Sequence, residues 1–281
     1  TIYLFIFGSG MRVLILSIII GWAGFIQGQN GINIFNNSVS TSLNNSNVAD
    51  PGVIALSLNP AALVQVSKLY ISVGAQQSFL ISDINQGNFD FAYRIKKNHA
   101  LGLQLYYNGN KTFNEMKASL GYALQLADQT SLGLRLHGIV VTSPENKKEL
   151  SATFSLGAQT QLSPQFGVGL VTFNPVGFFR SNESNDLTHS IQLGVGYFPA
   201  EYLRLYLSGI LDDGHPLGVA GGIAYNINQK VFLYLSARAN PGIIGLGIGI
   251  PLGKGSSIDL SGTQHLQLGF SPGATYTYST P

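Results

Sequence analysis

The chain has 281 residues, of which 34 are glycine and none is cysteine, and only 10% are charged whereas 45% are hydrophobic. The absence of cysteine excludes disulfides, thiolate metal sites and a lipid-modified cysteine, and a net charge of +2 without a basic stripe argues against a nucleic-acid partner. Such low charge is also unusual for a soluble domain, in which about a quarter of the residues are charged.

The N-terminus has the pattern of a secretory signal. In residues 11–28, Met11 and Arg12 provide a positive start, an apolar stretch follows, and Gly28 is a small residue at the expected cleavage position. A membrane anchor is the alternative, but the apolar stretch is short for a span and no basic cluster follows it. We therefore predict that residues 1–28 are upstream sequence and signal peptide, outside the fold.

A Ser/Asn-rich segment comes next and ends in a short apolar run. This run, "IALSLNPAALV" at residues 54–64, is broken at Asn59-Pro60. Pro60 ends any regular element that precedes it, and the run is too short to span a bilayer as a helix. The rest of the chain must therefore cover its apolar face.

From Ser67 onward, large apolar residues alternate with small or polar ones, which is the period-2 pattern of β-strands. In "IGLGIGI", which begins at Ile244, the isoleucines and the leucine share one face and the three glycines share the other. The stretches "LGLQLYY", "SLGLRLHG" and "LRLYLSG" follow the same rule. One face of each strand is thus large and apolar, and the other is mainly Gly, Ser, Ala and Gln.

These faces favour an all-β transmembrane antiparallel barrel over residues 67–281, with lipid outside and a wet or plugged lumen inside. A soluble all-β domain is the alternative. Short connections alternate with longer ones, which is typical of bacterial outer-membrane barrels whose short turns face the periplasm. We count about 14 strands, or about 12 if the reversal near His265 is absent, and we expect outer-membrane lipid around the barrel.

Charged residues on the small-residue face should point into the lumen. We predict six of them: Asp90, Arg94, Arg135, Arg204, Arg238 and Asp259. A buried charge needs a partner or water. These charges either form structural pairs, with one another and with the N-terminal segment, or they form a ligand site.

The C-terminal stretch "SPGATYTY" fits the pattern polar-x-Gly-x-x-aromatic-x-aromatic, with Ser271, Gly273, Tyr276 and Tyr278 in the key places. It resembles the last-strand signal that the barrel-assembly machinery recognises, although three residues follow the final aromatic. The physical basis of such a signal is an open strand edge that can pair with another chain. The resemblance implies that the barrel-assembly machinery is a partner.

Signals for catalysis or cofactors are weak. "GLGIGIPLGKGSS" matches neither glycine-rich phosphate-loop pattern, because Gly255 follows Lys254 where Ser or Thr is required. The five histidines have no metal-ligand spacing, and none has a serine two residues on, as a Ser-His pair on one strand face requires. We therefore expect no enzyme activity, no metal and no cofactor.

The segment before the first strand, "NVADPGVIALSLNPAALV", resembles the N-terminal segment of the FadL/PorV-like outer-membrane family, in which an Ala-Asp…Asn-Pro-Ala-x-Leu motif precedes a fourteen-stranded barrel. The matching positions are Ala49, Asp50, Asn59, Pro60, Ala61 and Leu63. The resemblance covers essentially all of the mature chain in pattern and implies that residues 29–66 plug the lumen. The compact length and short loops are more similar to PorV/PorQ-type proteins than to the longer FadL transporters.

Two functions follow from this resemblance. The first is an accessory component of an outer-membrane secretion or assembly complex, associated with type IX secretion, whose partners are other outer-membrane or secreted proteins. The longest loop fits this hypothesis, because it carries aromatics beside an arginine, a composition favoured at interfaces; the alternative is that the rings dip into lipid. The residues of this possible partner loop are Phe173, Phe178, Phe179 and Arg180.

The second function is a FadL-like transporter of small hydrophobic compounds. We favour the accessory because short loops and a glycine-lined lumen leave little room for a large pocket. A general diffusion porin ranks third, since a plug would close it.

Overall fold

The computed structural model describes residues 36–143, 148–179 and 187–280. The predicted signal peptide and the first part of the predicted plug segment, residues 29–35, lie outside the described residues. In the described ranges, no helix is both long enough and apolar enough to cross a membrane.

Fourteen antiparallel strands form a closed barrel, in which each strand pairs with its neighbours along the chain and β1 pairs with β14. The strands are β1 (Leu69–Gln77), β2 (Asn85–Lys96), β3 (His99–Gly109), β4 (Asn114–Ala127), β5 (Thr130–Thr142), β6 (Lys148–Ser163), β7 (Phe166–Phe173), β8 (Ser190–Ala200), β9 (Leu203–Asp212), β10 (Gly218–Ile227), β11 (Val231–Ala239), β12 (Ile243–Gly253), β13 (Ser256–His265) and β14 (Gly269–Ser279). The prediction of about 14 strands is confirmed, and the alternative of twelve is wrong because β13 and β14 reverse just after His265.

The two ends of the barrel differ in their connections. Six turns of two or three residues lie at the end where the chain enters β1 and leaves β14. The connections at the other end are mostly longer, and two of them contain short 3₁₀ helices, Ser78–Leu80 and Pro175–Phe179. Short turns face the periplasm in outer-membrane barrels, so we assign the short-turn end to the periplasm.

The outer face of the barrel is apolar and the inner face is polar. Leu120 on β4 is 65% exposed and Leu193 on β8 is 56% exposed, whereas their neighbours Ser119 and Gln192 are buried on the inner side. This arrangement confirms the prediction that the large apolar face of each strand points to lipid and the small or polar face points into the lumen. Since a lipid-facing wall must be apolar and a lumen can be polar, the barrel belongs in the outer membrane.

Residues 36–66 form four short helical pieces: α1 (Ser38–Ser42) and three 3₁₀ helices, η1 (Ser46–Ala49), η2 (Val53–Ala55) and η3 (Pro60–Gln65). Asparagine side chains cap two of them. The Asn37 side chain accepts a hydrogen bond from the Ser40 amide, and the Asn59 side chain accepts one from the Ala61 amide. Capping satisfies the free N–H groups of a helix start, and a proline at the first position, as in η3, leaves no unused donor there.

The core of the protein lies inside the barrel, between these helical pieces and the wall. Leu43, Val48, Leu56 and Leu63, all from residues 36–66, are almost completely buried. Their burial answers the question of what covers the apolar face of this segment, because the inner wall of the barrel does so.

Candidate functional site

Residues 36–66 lie along a belt of small residues on the inner wall, with one member on each strand from β3 to β12. Members on neighbouring strands either pair directly, as Gly169 does with Gly194, or are offset by two residues from the direct partner, as Gly157 is from the partner of Gly169. We call this the small-residue belt: Gly102, Gly121, Gly133, Gly157, Gly169, Gly194, Ser208, Gly222, Ser236 and Gly245. A Cβ atom added at most of its glycines would collide with the segment, so the glycines make the close approach possible.

The contacts along the belt are tight. A Cβ atom at Gly121 would lie 2.9 Å from Leu63 Cδ1, and one at Gly157 would lie 2.8 Å from the Pro60 ring. Leu63 and Pro60 belong to the motif that carries the family resemblance. The alternating glycines of the sequence thus provide space for the N-terminal segment.

Asp50 joins the N-terminal segment to strand β9 of the barrel wall. Its carboxylate lies 2.8 Å from Arg204 Nη1, accepts a hydrogen bond of 2.5 Å from the Tyr206 hydroxyl, and accepts a third from the Gly52 amide at 2.7 Å. Asp50 is fully buried, and Arg204 keeps 40% of its side chain exposed. Arg204 therefore keeps part of its hydration while the aspartate accepts three hydrogen bonds, and both lower the cost of burying this pair.

A second network forms around Asp90 on β2. Its carboxylate accepts hydrogen bonds from Ser57 Oγ at 2.6 Å, Asn88 Nδ2 at 2.9 Å and Gln104 Nε2 at 3.0 Å. Arg135 donates to the carbonyl oxygen of Ser57 at 3.0 Å, and also to that of Leu56. Asp90 and Arg135 therefore contact the same turn of the segment, at residues 56–57, just before Asn59-Pro60 breaks the apolar run.

Two further lumen charges also have partners. Arg94 donates a hydrogen bond to the Val64 carbonyl oxygen, at the end of the segment. Arg238 lies 3.7 Å from Asp212 near the outer end of the lumen. The sixth charge, Asp259, accepts a hydrogen bond from Ser257 Oγ at 3.3 Å, and the Tyr234 hydroxyl lies nearby.

The remaining motif residues also lie against the wall. Asn59 donates to the carbonyl oxygens of Val48 and Ala158, both at 3.2 Å, and so ties two parts of the segment to β6. Ala49 and Ala61 are buried beside the belt. The structure thus brings all six motif positions to the inner wall, whereas the closure of the lumen to solutes by residues 29–66 stays a prediction.

The outer half of the lumen contains a polar cluster that sequence spacing did not show. His137 on β5 is hydrogen-bonded at 2.7 Å to Ser119 and at 2.7 Å to Ser155, on the two neighbouring strands. Both ring nitrogens are occupied by serines and no carboxylate among the described residues orients the ring, so the cluster lacks the third member of a catalytic triad. Lys117 Nζ lies nearby, 5.1 Å from the centre of the Tyr106 ring.

A cavity of 310 Å³ lies at the periplasmic end, between residues 36–66 and the wall. Most of its wall surface is apolar and includes Val53, Ile54, Ala224 and Phe232, while about half of its lining residues, Asp259 among them, carry polar side chains. Ligand sites are commonly clefts of about 300–1,000 Å³ lined by apolar side chains and a few polar ones. The sequence predicted little room for a large pocket, and the folded segment leaves a cavity at the small end of this range.

The predicted partner loop does not form one group in the structure. Phe173 is the last residue of β7, and its ring lies 5.3 Å from the His137 ring, so it faces the lumen rather than the loop tip. The backbone of Phe178 and Phe179 ends the 3₁₀ helix at Pro175–Phe179, and Arg180 lies outside the described residues.

The predicted assembly residues lie on the last strand. Ser271 and Gly273 are on β14, with Tyr276 and Tyr278 nearer its periplasmic end, and Tyr276 is exposed on the lipid side. In the closed barrel β14 pairs with both β1 and β13. A role of this strand in recognition by the assembly machinery stays a prediction.

No protein family matches the chain and no curated protein is significantly similar to it, but solved structures share its fold. The monoaromatic hydrocarbon channel CymD superposes with a TM-score of 0.68 at 12% identity, over 89% of this chain and 99% of that chain. The Ralstonia pickettii toluene transporter TbuX gives 0.67 at 11% identity, over 89% and 100%. A Pseudomonas aeruginosa FadL homologue gives 0.62 at 11% identity, over 88% and 98%.

These similarities correct one hypothesis and support another. The interpretation as a type IX secretion accessory is wrong, because the solved structures that share the fold include a monoaromatic hydrocarbon channel, a toluene transporter and a FadL homologue. The closer similarity to PorV/PorQ-type proteins is not confirmed. Channels and transporters as neighbours agree with the expectation that the chain is not an enzyme. The protein has the FadL-like fold of a bacterial outer-membrane barrel.

Proposed function

We propose that the protein is a channel that admits small apolar compounds through the bacterial outer membrane. The observation that carries this proposal is the mainly apolar cavity of 310 Å³ between residues 36–66 and the inner wall of the barrel. The solved structures with this fold that are named for monoaromatic hydrocarbons and toluene support the same class of compound.

The size and chemistry of the cavity suit a single small molecule. Val53, Ile54 and Phe232 provide apolar contact on both the segment side and the wall side. Burying apolar surface gains roughly 25 cal/mol per Å², so a ring enclosed by such walls is bound without any polar contact. A hydrated polar solute would lose much of its water against these mainly apolar walls.

The experiment uses intact cells, because small hydrocarbons cross phospholipid vesicles unaided. We would express the protein in a Gram-negative host without such a channel and measure the initial uptake of radiolabelled toluene. The channel function predicts faster uptake than in the same host with an empty vector. Unchanged uptake, with the folded barrel present in the outer membrane, would reject the proposal.

Uptake of a small sugar provides the matched control. A general diffusion porin would accelerate uptake of both compounds, whereas a channel for apolar compounds accelerates only toluene. Equal acceleration of both would favour the porin.

A further inference from the structure

Asp259 has no charged partner, as Asp90 has none, but Asp90 accepts three hydrogen bonds of 2.6–3.0 Å whereas Asp259 accepts one of 3.3 Å. It is only 6% exposed, and no Lys or Arg of the described ranges lies within ion-pair distance. Its hydrogen bond comes from the Ser257 hydroxyl at 3.3 Å, and the Tyr234 hydroxyl lies nearby. A carboxylate offers about four acceptor positions, so acceptor capacity remains for a further donor.

This carboxyl group lines the periplasmic-end cavity. Asp259 lies beside Gly249, so that a Cβ added there would collide with its carboxylate and approach the Tyr234 hydroxyl to 3.0 Å. The Phe232 ring stacks against the Tyr234 ring, with centroids 6.5 Å apart and planes 8° apart. The cavity therefore places one acid next to a flat aromatic wall.

The charge balance of the cavity favours a cation. Arg204 also lines the cavity, but its Nη1 lies 2.8 Å from the Asp50 carboxylate, which offsets its charge. The uncompensated group is therefore Asp259. A buried charge is expensive unless it is paired, and the pairing group is missing from the described chain.

We propose that the cavity binds a small apolar compound that carries one amino group. Its ammonium group would donate a hydrogen bond to Asp259, and its apolar body would pack against Phe232, Tyr234 and Val53. This inference rests on the proposed function, since it names the class of compound within the apolar solutes. A hydrocarbon fills the same walls but leaves Asp259 unpaired, and a carboxylate-bearing compound would face repulsion from it.

The test compares benzylamine with its uncharged analogue ethylbenzene. Equilibrium dialysis of the purified full-length barrel in detergent at pH 7, against a detergent-only blank, gives the Kd of each compound. We expect Asp259→Asn to weaken benzylamine binding about tenfold, the order of one hydrogen bond to a charged group, and to leave ethylbenzene binding unchanged. Equal loss for both compounds, or none for benzylamine, would overturn the proposal.

Two further variants separate the site from general effects on folding. Asp212→Asn removes an acid at the opposite end of the lumen and should not change either Kd. Ala224→Phe fills the cavity and should abolish binding of both compounds while the barrel keeps its heat-modifiable gel migration. Benzylamine binding that survives Ala224→Phe would place the amine elsewhere and reject the site, even if Asp259→Asn fails to fold.

The outcomes also distinguish this inference from the channel function. Cells that take up toluene, combined with benzylamine binding that is independent of Asp259, would retain the channel and reject the amine site. Amine binding that depends on Asp259, without any toluene uptake, would retain the site and reject the channel.

Discussion

A side chain added to the small-residue belt should displace residues 36–66. Gly222 is the best position for this test, because the nearest atoms to an added Cβ all belong to that segment. A Cβ at Gly222 would lie 2.5 Å from Ser46 Oγ and 3.0 Å from Leu43 Cδ2. Ser46 cannot easily turn away, because its hydroxyl donates to the Leu43 carbonyl oxygen at 2.7 Å. Both residues are fully buried, so Gly222→Val inserts volume where none is free.

Such overpacking typically costs about 1–3 kcal/mol. If only the seated segment bears this cost, the equilibrium between seated and displaced segment shifts by a factor of roughly 5 to 150. We therefore expect Gly222→Val to increase the frequency of open events in single-channel recordings from planar bilayers. The increase in open events should lie at the lower end of this range if the Leu43 side chain rotates to make space for the valine.

Gly221→Val is the matched control, because Gly221 is adjacent on the same strand but faces outward. The nearest atom to a Cβ there is the Tyr206 carbonyl oxygen at 3.8 Å. This variant should record like the wild type. Identical traces from both variants, with both barrels folded, would refute the view that the belt seats the segment.

Two further predictions concern the anchor of the segment and the assembly of the barrel. Asp50→Ala removes three hydrogen bonds of the segment and should make residues 36–66 roughly tenfold more susceptible to thermolysin; Asp83→Ala, in an exposed loop, is the control, and equal cleavage of both would contradict the anchor role. Changing Tyr276 and Tyr278 together to Ser should lower the amount of folded barrel in the outer membrane without affecting export across the inner membrane, and unchanged levels would count against the assembly signal.

The wall of the barrel could be predicted from the sequence because a strand has a period of two. Once Ile244 faces lipid, Gly245 must face the lumen, and no long-range information is needed. The same argument predicted that Asp90, Arg135 and Asp259 share the inner side. Strand number followed from counting turns, since each reversal carries its own local residues.

The partners across the lumen could not be predicted in this way. Asp50 and Arg204 are 154 positions apart, and Ser57 and Asp90 are 33 apart, so only the closure and register of the barrel bring them together. His137 shows the same limit. Its two serines lie on neighbouring strands, 18 positions away on each side. Close spacing along a single strand therefore could not indicate this contact.

The function was misjudged for a related reason. Short loops and lumen glycines suggested that little room remained for a large pocket. The glycines instead accommodate the segment, and the segment leaves a cavity next to Phe232 and Ala224. The volume left between two packed surfaces depends on how they are placed relative to each other. The alternation of residues within single strands carries no information about that placement.

The most direct test of the channel is the initial rate of toluene uptake by intact cells that carry Ala224→Phe. Ala224 faces the cavity, and Ala237→Phe on the lipid side of the neighbouring strand is the matched control. With equal amounts of folded barrel, a path through the cavity predicts that Ala224→Phe reduces uptake to the rate of cells without the protein, while Ala237→Phe keeps the wild-type rate. Wild-type uptake by the Ala224→Phe cells would contradict a path for apolar compounds through this cavity.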